Sequence, residues 1–331
     1  MFLEGRLSNG GIMVNYYCTA ACRHCLYACS PERTKDYITA DMAKKICKLL
    51  RRGGCHSVHI GGGEPFVNFE GLCGMVQALN EAYIGLDYIE TNAFWAVPAD
   101  EQNVRQKLRK LLALGVDALC ISIDPYHAEY VPWERPLFLA EMCRQEGMGY
   151  FLWKQQFVRA LSGLSADTAH TRVEMEQAIS PNYLLKTAQE YGLRFGGRAL
   201  NMEEEYRPRQ PVEKLVNGNS CQRSLSLNHF HVDLFGNVLP GGCTGMTVPL
   251  EEIIEGIPEG KYPVYEAVCG GGTAALMELA TARGFVPAAE GYTSTCGMCF
   301  HIRKWLAENA LADCPELDAE YYEAAMARYS R

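Results

Sequence analysis

The chain lacks the marks of a membrane or exported protein. Its opening, MFLEGRLSNGGIMVNYY, has no basic start followed by an apolar run, and no later stretch stays apolar long enough to span a bilayer. A cytoplasmic location is expected, with no membrane partner. Positive charge is also scarce: the formal net charge is -8, and basic stretches such as CKLLRRGG read as solvated helix faces. Nucleic acid is therefore not expected as a partner. Neither a GxGxxG motif nor a Walker lysine is present, so GGGTAALMEL, which begins at Gly270, reads as a loop feeding a helix and not as a phosphate cradle. With 48% hydrophobic and 21% charged residues, disorder is excluded as well.

Cysteine is in excess, at 15 of 331 residues. In a cytosolic chain a disulfide framework is the weaker explanation, and ligation of a metal or cluster the stronger one. Some thiols need no such role. Cys47, Cys73 and Cys143 sit in helical patterns and Cys120 in the apolar run ALCISID, where a thiol behaves as a small buried hydrophobe.

Strand and helix patterns alternate after IMVNYYC. Helical periodicity in ADMAKKICKLLRRG, FEGLCGMVQALNEAYIG, NVRQKLRKLLALG, PLFLAEMCRQEG and PNYLLKTAQEYG separates the strands SVHIG, DYIETN, ALCISID, YFLWKQ and LRFGGRAL. The helices close on Gly53, Gly85, Gly115, Gly147 and Gly192, the residue that best tolerates a left-handed cap. The expected fold class is α/β: a partial (β/α)6 barrel over residues 1–205, with its chemistry at the carboxyl ends of the strands. The segment 161–180 interrupts the last repeat. Beyond residue 205 the repeat is lost, and 206–331 is expected to form a smaller α+β domain.

Cys18, Cys22 and Cys25 follow the first strand as C-x3-C-x2-C. Three thiolates in one loop can hold three irons of a [4Fe–4S] cluster and leave the fourth open. GGGEP (61–65) then ends the second strand, ETN (90–92) the third, and Ser122 with Asp124 the fourth. Together these motifs resemble the signature of the radical S-adenosylmethionine (SAM) enzymes over about the first 200 residues. The resemblance implies a [4Fe–4S] cluster on Cys18, Cys22 and Cys25, and SAM bound by Gly62, Gly63, Glu64, Pro65, Thr91, Asn92, Ser122 and Asp124. It also implies reductive cleavage of SAM to a 5'-deoxyadenosyl radical. The glycines would let backbone approach the ligand, and Glu64 would accept from its ammonium. Where that family usually carries Phe, Tyr or Trp before the last cysteine, this chain has His24, whose planar ring would pack beside the adenine. Cys29 is read as a bystander; as a fourth ligand it would close the cluster and give an electron carrier.

A second cysteine set lies in the last third. Cys221 precedes and Cys243 follows an apparent hairpin with its turn at Gly236 and Asn237, and Cys296 and Cys299 form a C-x2-C at a helix start. The arrangement resembles the auxiliary-cluster domains called SPASM and twitch, which implies a second [4Fe–4S] cluster on these four residues. Zinc is the alternative, since C-x2-C is also a zinc signature. Cys269 and Cys314 are candidate spare ligands, with core packing the default reading for each.

After the fourth strand, DPYHAEYVPWERP offers Tyr126, His127 and Glu129 as groups that bind substrate or manage a proton, against the alternative of a packed loop. His229 and His231 read as strand residues. The resemblance implies an external low-potential electron donor such as ferredoxin or flavodoxin. Modification of a ribosomal peptide or protein side chain ranks ahead of oxidation or rearrangement of a small metabolite. Because the first cluster cysteine is residue 18, no room is expected for an amino-terminal leader-binding domain, which weakens the peptide reading without removing it.

Overall fold

In the strands, side chains alternate between an apolar face that packs against helices and a polar face that does not. The computed structural model describes residues 7–193, 196–221, 226–240 and 243–327. Its single sheet runs β5-β4-β3-β2-β1-β6-β7-β8, with β1 Asn9–Met13, β2 Ser57–Gly61, β3 Gly85–Thr91, β4 Ala118–Ser122, β5 Gly149–Trp153, β6 His229–Val232, β7 Asn237–Leu239 and β8 Val248–Pro249. The run from β5 to β6 is parallel and the last two pairings are antiparallel. The sheet stays open at β5 and β8, so the architecture is a partial barrel within an α/β fold. Val58, Ile60, Ile89, Leu119, Ile121, Phe230 and Val232 are fully buried. Helices α1 Ala40–Arg52, α2 Phe69–Glu81, α3 Glu101–Ala113, α4 Pro125–Ala128 and α5 Glu134–Glu146 follow in chain order. Of these, α2 touches β3, and α5 touches β4 and β5. Ile46 and Leu50 of α1, Leu72 and Leu79 of α2, and Leu108 and Leu111 of α3 are completely buried. At the amino ends, Thr39 Oγ1 accepts from Met42 N at 3.2 Å and Asn68 Oδ1 from Gly71 N at 3.0 Å.

Two local expectations change. Gly115, Gly147 and Gly192 have positive φ as anticipated, but Gly53 is right-handed and Gly54 turns left-handed after it, while Tyr83, not Gly85, takes the left-handed turn after α2. The strand expected over 193–200 is not formed by its described residues, of which 196–198 turn and Ala199 starts a helix ending at Tyr206; Arg194 and Phe195 lie outside the described residues. The physical reason is the Gly196-Gly197 pair: Gly197 has φ +54°, and a Cβ on it would come within 2.4 Å of Cys25 O. The sixth parallel strand is instead β6, at the other edge of the barrel beside β1.

The expected hairpin at Gly236 and Asn237 is present. Asp233 Oδ1 accepts from Phe235 N at 3.0 Å and Asn237 N at 2.9 Å, and Tyr16 OH donates to Asp233 Oδ2 at 3.1 Å. This last bond ties the hairpin to the segment leading into Cys18. GGGTAALMEL does not precede a helix: it lies in the helix Pro263–Thr281, kinked at Gly271 and Gly272. A Cβ on Gly272 would meet Asn219 O at 2.2 Å, so the glycine lets this helix press against the backbone just before Cys221. Among the described residues no helix is long and apolar enough to cross a membrane.

Gly10 gives Phe230 its place, since a Cβ there would lie 2.8 Å from the Phe230 ring. Phe230→Ala is expected to lower the unfolding free energy by about 3–5 kcal/mol, read as a lower denaturant midpoint of the cluster-free chain. The half-exposed Phe235→Ala serves as control and should stay within about 0.5 kcal/mol of wild type.

Candidate functional site

The cysteine loop is a closed turn at the carboxyl end of β1. Cys18 N donates to Ser30 O at 3.1 Å and Cys25 N to Cys22 O at 3.0 Å. Arg198, buried beneath it, donates to Cys22 O at 3.0 Å and Cys29 O at 2.5 Å. Cys18, Cys22 and Cys25 all line one cavity of about 380 Å³. Burial pushes the Cys18 and Cys22 thiols up. Cys25 is drawn down to about 5, first by its hydrogen bond with the Cys29 thiol and then, against burial, by Arg198. Cys29 also lines the cavity, and its backbone N–H donates to Cys25 Sγ at 3.4 Å.

Gly62, Gly63, Glu64, Pro65, Thr91, Asn92, Ser122 and His24 line the same cavity. The glycines serve a contact within the chain: a Cβ on Gly63 would lie 2.0 Å from Tyr17 O, and one on Gly62 2.6 Å from Asn15 Oδ1. Gly63 N donates to Asn15 O at 2.8 Å and Glu64 N to Tyr17 O at 3.0 Å, which fastens the β2 turn to the start of the cysteine loop. The completely buried Glu64 carboxylate accepts from Phe66 N (3.1 Å), Thr91 Oγ1 (2.9 Å) and Asn92 N (2.7 Å), joining the ends of β2 and β3. Burial outweighs these donors and raises it to about 7. Asn92 Nδ2 reaches Thr19 Oγ1 at 3.2 Å and lies 3.6 Å from Cys18 Sγ.

Asp124 is the hub of the β4 end. Its Oδ1 accepts from Tyr126 N and His127 N, capping α4, while Oδ2 lies 2.9 Å from His127 Nδ1 and 3.8 Å from His24 Nε2. Burial pushes the Asp124 carboxyl up, but His127 and then His24 outweigh it and hold it well below the usual range. Burial opposes charge on His127, yet Asp124 and the Cys22 sulfur, which the ring also contacts, raise it well above its ordinary value. His24 is pushed down to about 4 by burial.

Of the three residues expected to act on substrate, His127 alone lines the cavity. Tyr126 is completely buried, stacks on His24 at 4.7 Å and donates its hydroxyl to Leu184 O at 2.8 Å. Glu129 is buried in an ion pair with Arg23 at 2.9 Å. Neither lines the cavity, and Tyr126 backs His24 from outside it. Asp124 also lies behind the cavity wall and acts on it through the two histidines.

Sequence reasoning missed the strand residues that face inward. His59, Tyr88, Glu90, Cys120, Trp153, His229 and His231 also line the cavity, as does Tyr191 at the end of the helix Tyr183–Tyr191, so Cys120 is more than a core thiol and the two histidines are more than strand residues. The available signal was polar residues recurring at every second position in short strands, as in Tyr88/Glu90 and His229/His231.

The four auxiliary cysteines converge. Cys221, Cys243, Cys296 and Cys299 line a separate cavity of about 190 Å³, together with Leu26, Gly197 and the buried Arg303. Ser294 Oγ accepts from Gly297 N at 3.0 Å and starts the helix Thr295–Asn309 that carries Cys296 and Cys299. Arg303, one turn beyond Cys299, donates to Thr244 O at 3.0 Å and to the Cys299 sulfur. Cys269 and Cys314 are buried and do not line this cavity, though Cys269 lies near Cys221, whose backbone N–H donates to Val268 O at 3.1 Å.

Residues 12–148 match the family model of the Radical SAM superfamily. A stretch of 114 residues, 34% of the chain, is 25% identical to YydG of Bacillus subtilis (strain 168), a protein provisionally named for peptide biosynthesis, and the match spans 35% of that protein. Among solved structures, anSMEcpe with bound AdoMet is 12% identical with a TM-score of 0.43, covering 96% of this chain and 98% of that one. Streptococcus suis SuiB bound to precursor peptide SuiA is 12% identical with a TM-score of 0.36, covering 89% and 76%.

The raised Glu64 carboxyl gives a signed pH effect. Folding binds a proton there between the ordinary carboxyl range and about 7, so the iron-free chain loses stability as pH rises through that window. Unfolding free energies at pH 5 and pH 8 should show this fall, and it should shrink in Glu64→Gln. An equal fall in the variant would remove Glu64 as its source.

Proposed function

We propose that the chain is a radical SAM enzyme that cleaves S-adenosylmethionine reductively and abstracts hydrogen from a peptide or protein side chain. The observation that carries this reading is the convergence of the three loop thiols, the Gly62–Pro65 turn and Thr91–Asn92 on one cavity. When bound there, a [4Fe–4S] cluster and S-adenosylmethionine supply the 5'-deoxyadenosyl radical.

The chain's own groups have separable tasks in this reading. Cys18, Cys22 and Cys25 ligate, and Cys29 does not. His127 meets the Cys22 sulfur and holds a proton beside it, with Asp124 fixing its ring. His24 offers a neutral planar face at the cavity wall, backed by Tyr126. Glu64 braces the turn with three internal hydrogen bonds and has lone-pair capacity left for an ammonium. Tyr126 and Glu129 are positioning residues.

In this proposal the radical SAM unit is residues 1–205 together with β6, which completes the parallel part of its sheet from within 206–331, and the auxiliary cluster lies in the remainder of 206–331. Cys221, Cys243, Cys296 and Cys299 hold a second [4Fe–4S] cluster. A cluster suits them better than zinc because, among the described residues, the ligand sets lying within 4.8 Å of one another are two histidine-containing groups, whereas these four thiols surround a void. A low-potential donor such as ferredoxin or flavodoxin supplies electrons, in a cytoplasmic setting that keeps the thiols reduced. Kinship with YydG supports a peptide substrate. The polar inner wall of His59, Tyr88, Glu90 and Ser122 favours the second reading, a compact polar metabolite.

Anaerobically reconstituted protein given S-adenosylmethionine and dithionite should release 5'-deoxyadenosine. Cys18→Ala, Cys22→Ala and Cys25→Ala should fall to background, while Cys29→Ala remains competent; wild type releasing none would defeat the reading.

Iron analysis separates the second cluster from zinc. Wild type should carry about eight irons per chain and the Cys296→Ala/Cys299→Ala double variant about half. Zinc in place of the second four irons would overturn the auxiliary assignment.

A further inference from the structure

A different set of ligand atoms lies on the inner strand wall of the main cavity, apart from its thiols. His59 in β2 and His231 in β6 both stand opposite Gly11 of β1. Gly11 provides the room between them, since a Cβ there would lie 2.3 Å from His59 Nε2 and 2.6 Å from His231 Cδ2. The two Nε2 atoms meet at 3.3 Å. His229, two residues before His231 on the same face, stacks on the His59 ring at 5.6 Å between centroids. One ring nitrogen from each of the three lies within 4.8 Å of the other two.

The rings are also held from behind. The Gly10 backbone hydrogen-bonds the His59 ring, and Asn9 Oδ1 lies 3.4 Å from His229 Nδ1. Contacts of this kind orient a metal-binding imidazole and leave its other nitrogen for the ion. Glu90 Oε1 lies 3.9 Å from His59 Nε2, on the cavity side.

We propose that His59, His229 and His231 bind one divalent cation of the zinc type, with Glu90 or a water in the fourth position facing the cavity. Tetrahedral zinc with bonds near 2.0–2.1 Å places its ligand nitrogens roughly 3.3 Å apart, the separation found between His59 and His231. Imidazoles select zinc and its neighbours over magnesium or calcium, which take oxygen ligands. None of these residues is among the proposed cluster ligands, so the inference stands or falls independently of the proposed reaction.

The test uses reconstituted protein carrying its iron, equilibrated anaerobically with zinc chloride and desalted. It is expected to retain one zinc per chain, and the zinc X-ray absorption spectrum should show imidazole scattering without sulfur. His229 is exposed, so His229→Ala should keep the fold and iron content while losing the zinc; His231→Gln should behave likewise. No retained zinc, sulfur-ligated zinc, or zinc held equally by the His229→Ala/His231→Gln double variant would each overturn the proposal.

Discussion

The arrangement of both cavities depends on how Arg198 holds the cysteine loop. A loop carrying thiols toward a cavity turns its carbonyls inward, where water cannot solvate them. Arg198 accepts that burden by donating to Cys22 O and Cys29 O from below. A buried guanidinium is tolerated only with such partners, and removing either side would strand polar groups at a penalty of several kcal/mol. Gly197, one residue earlier, brings its backbone within contact of Cys25 and Leu26 because it has no side chain. Arg198 and Gly197 thus fix the loop's height above the sheet, while Gly63 fixes it laterally against Tyr17.

Electrostatics follow from that placement. Several thiols and carboxyls share a cavity of low polarizability, and burial pushes most of them toward their neutral forms. Cations are placed where charge must persist: Arg198 under Cys25, His127 beside Cys22, and Arg303 beside Cys243 and Cys299. Asp124, by holding two imidazoles and the first turn of α4, makes the His127 arrangement rigid and not merely local.

Legibility in the sequence followed the range over which each feature is encoded. Cys18, Cys22 and Cys25, the GGGEP turn and Thr91–Asn92 were readable because each is contiguous and ends a recognisable strand. Cys221, Cys243, Cys296 and Cys299 were recognisable as a set although their meeting on one cavity depends on long-range packing. The inner wall was not: His59 sits in a five-residue strand, and its approach to His231 needs β6 to pair with β1 across some 220 residues of chain. LRFGGRAL looked like a strand through its apolar residues, but the Gly197 contact with the cysteine loop dictates a turn. Tyr126 and Glu129 were taken for groups at the barrel mouth because they follow β4. The Asp124 cap winds that segment into α4 instead, turning Tyr126 under His24 and delivering Glu129 to Arg23.

The two cavities are adjoined through a short polar chain. Leu26, the residue after Cys25, lines the auxiliary cavity, and its carbonyl accepts from Tyr321 OH at 3.1 Å. Tyr321 OH in turn shares a hydrogen bond with Thr244 Oγ1, and the Thr244 carbonyl accepts from Arg303, which contacts the Cys299 sulfur. Tyr321, Thr244 and Arg303 are buried, so breaking these bonds would leave unsatisfied polar groups. The same backbone segment meets Gly197, whose lack of a side chain permits the close approach. The contacts from Arg303 through Thr244 and Tyr321 thus meet the cysteine loop at the carbonyl of Leu26, beside the point where Gly197 anchors it.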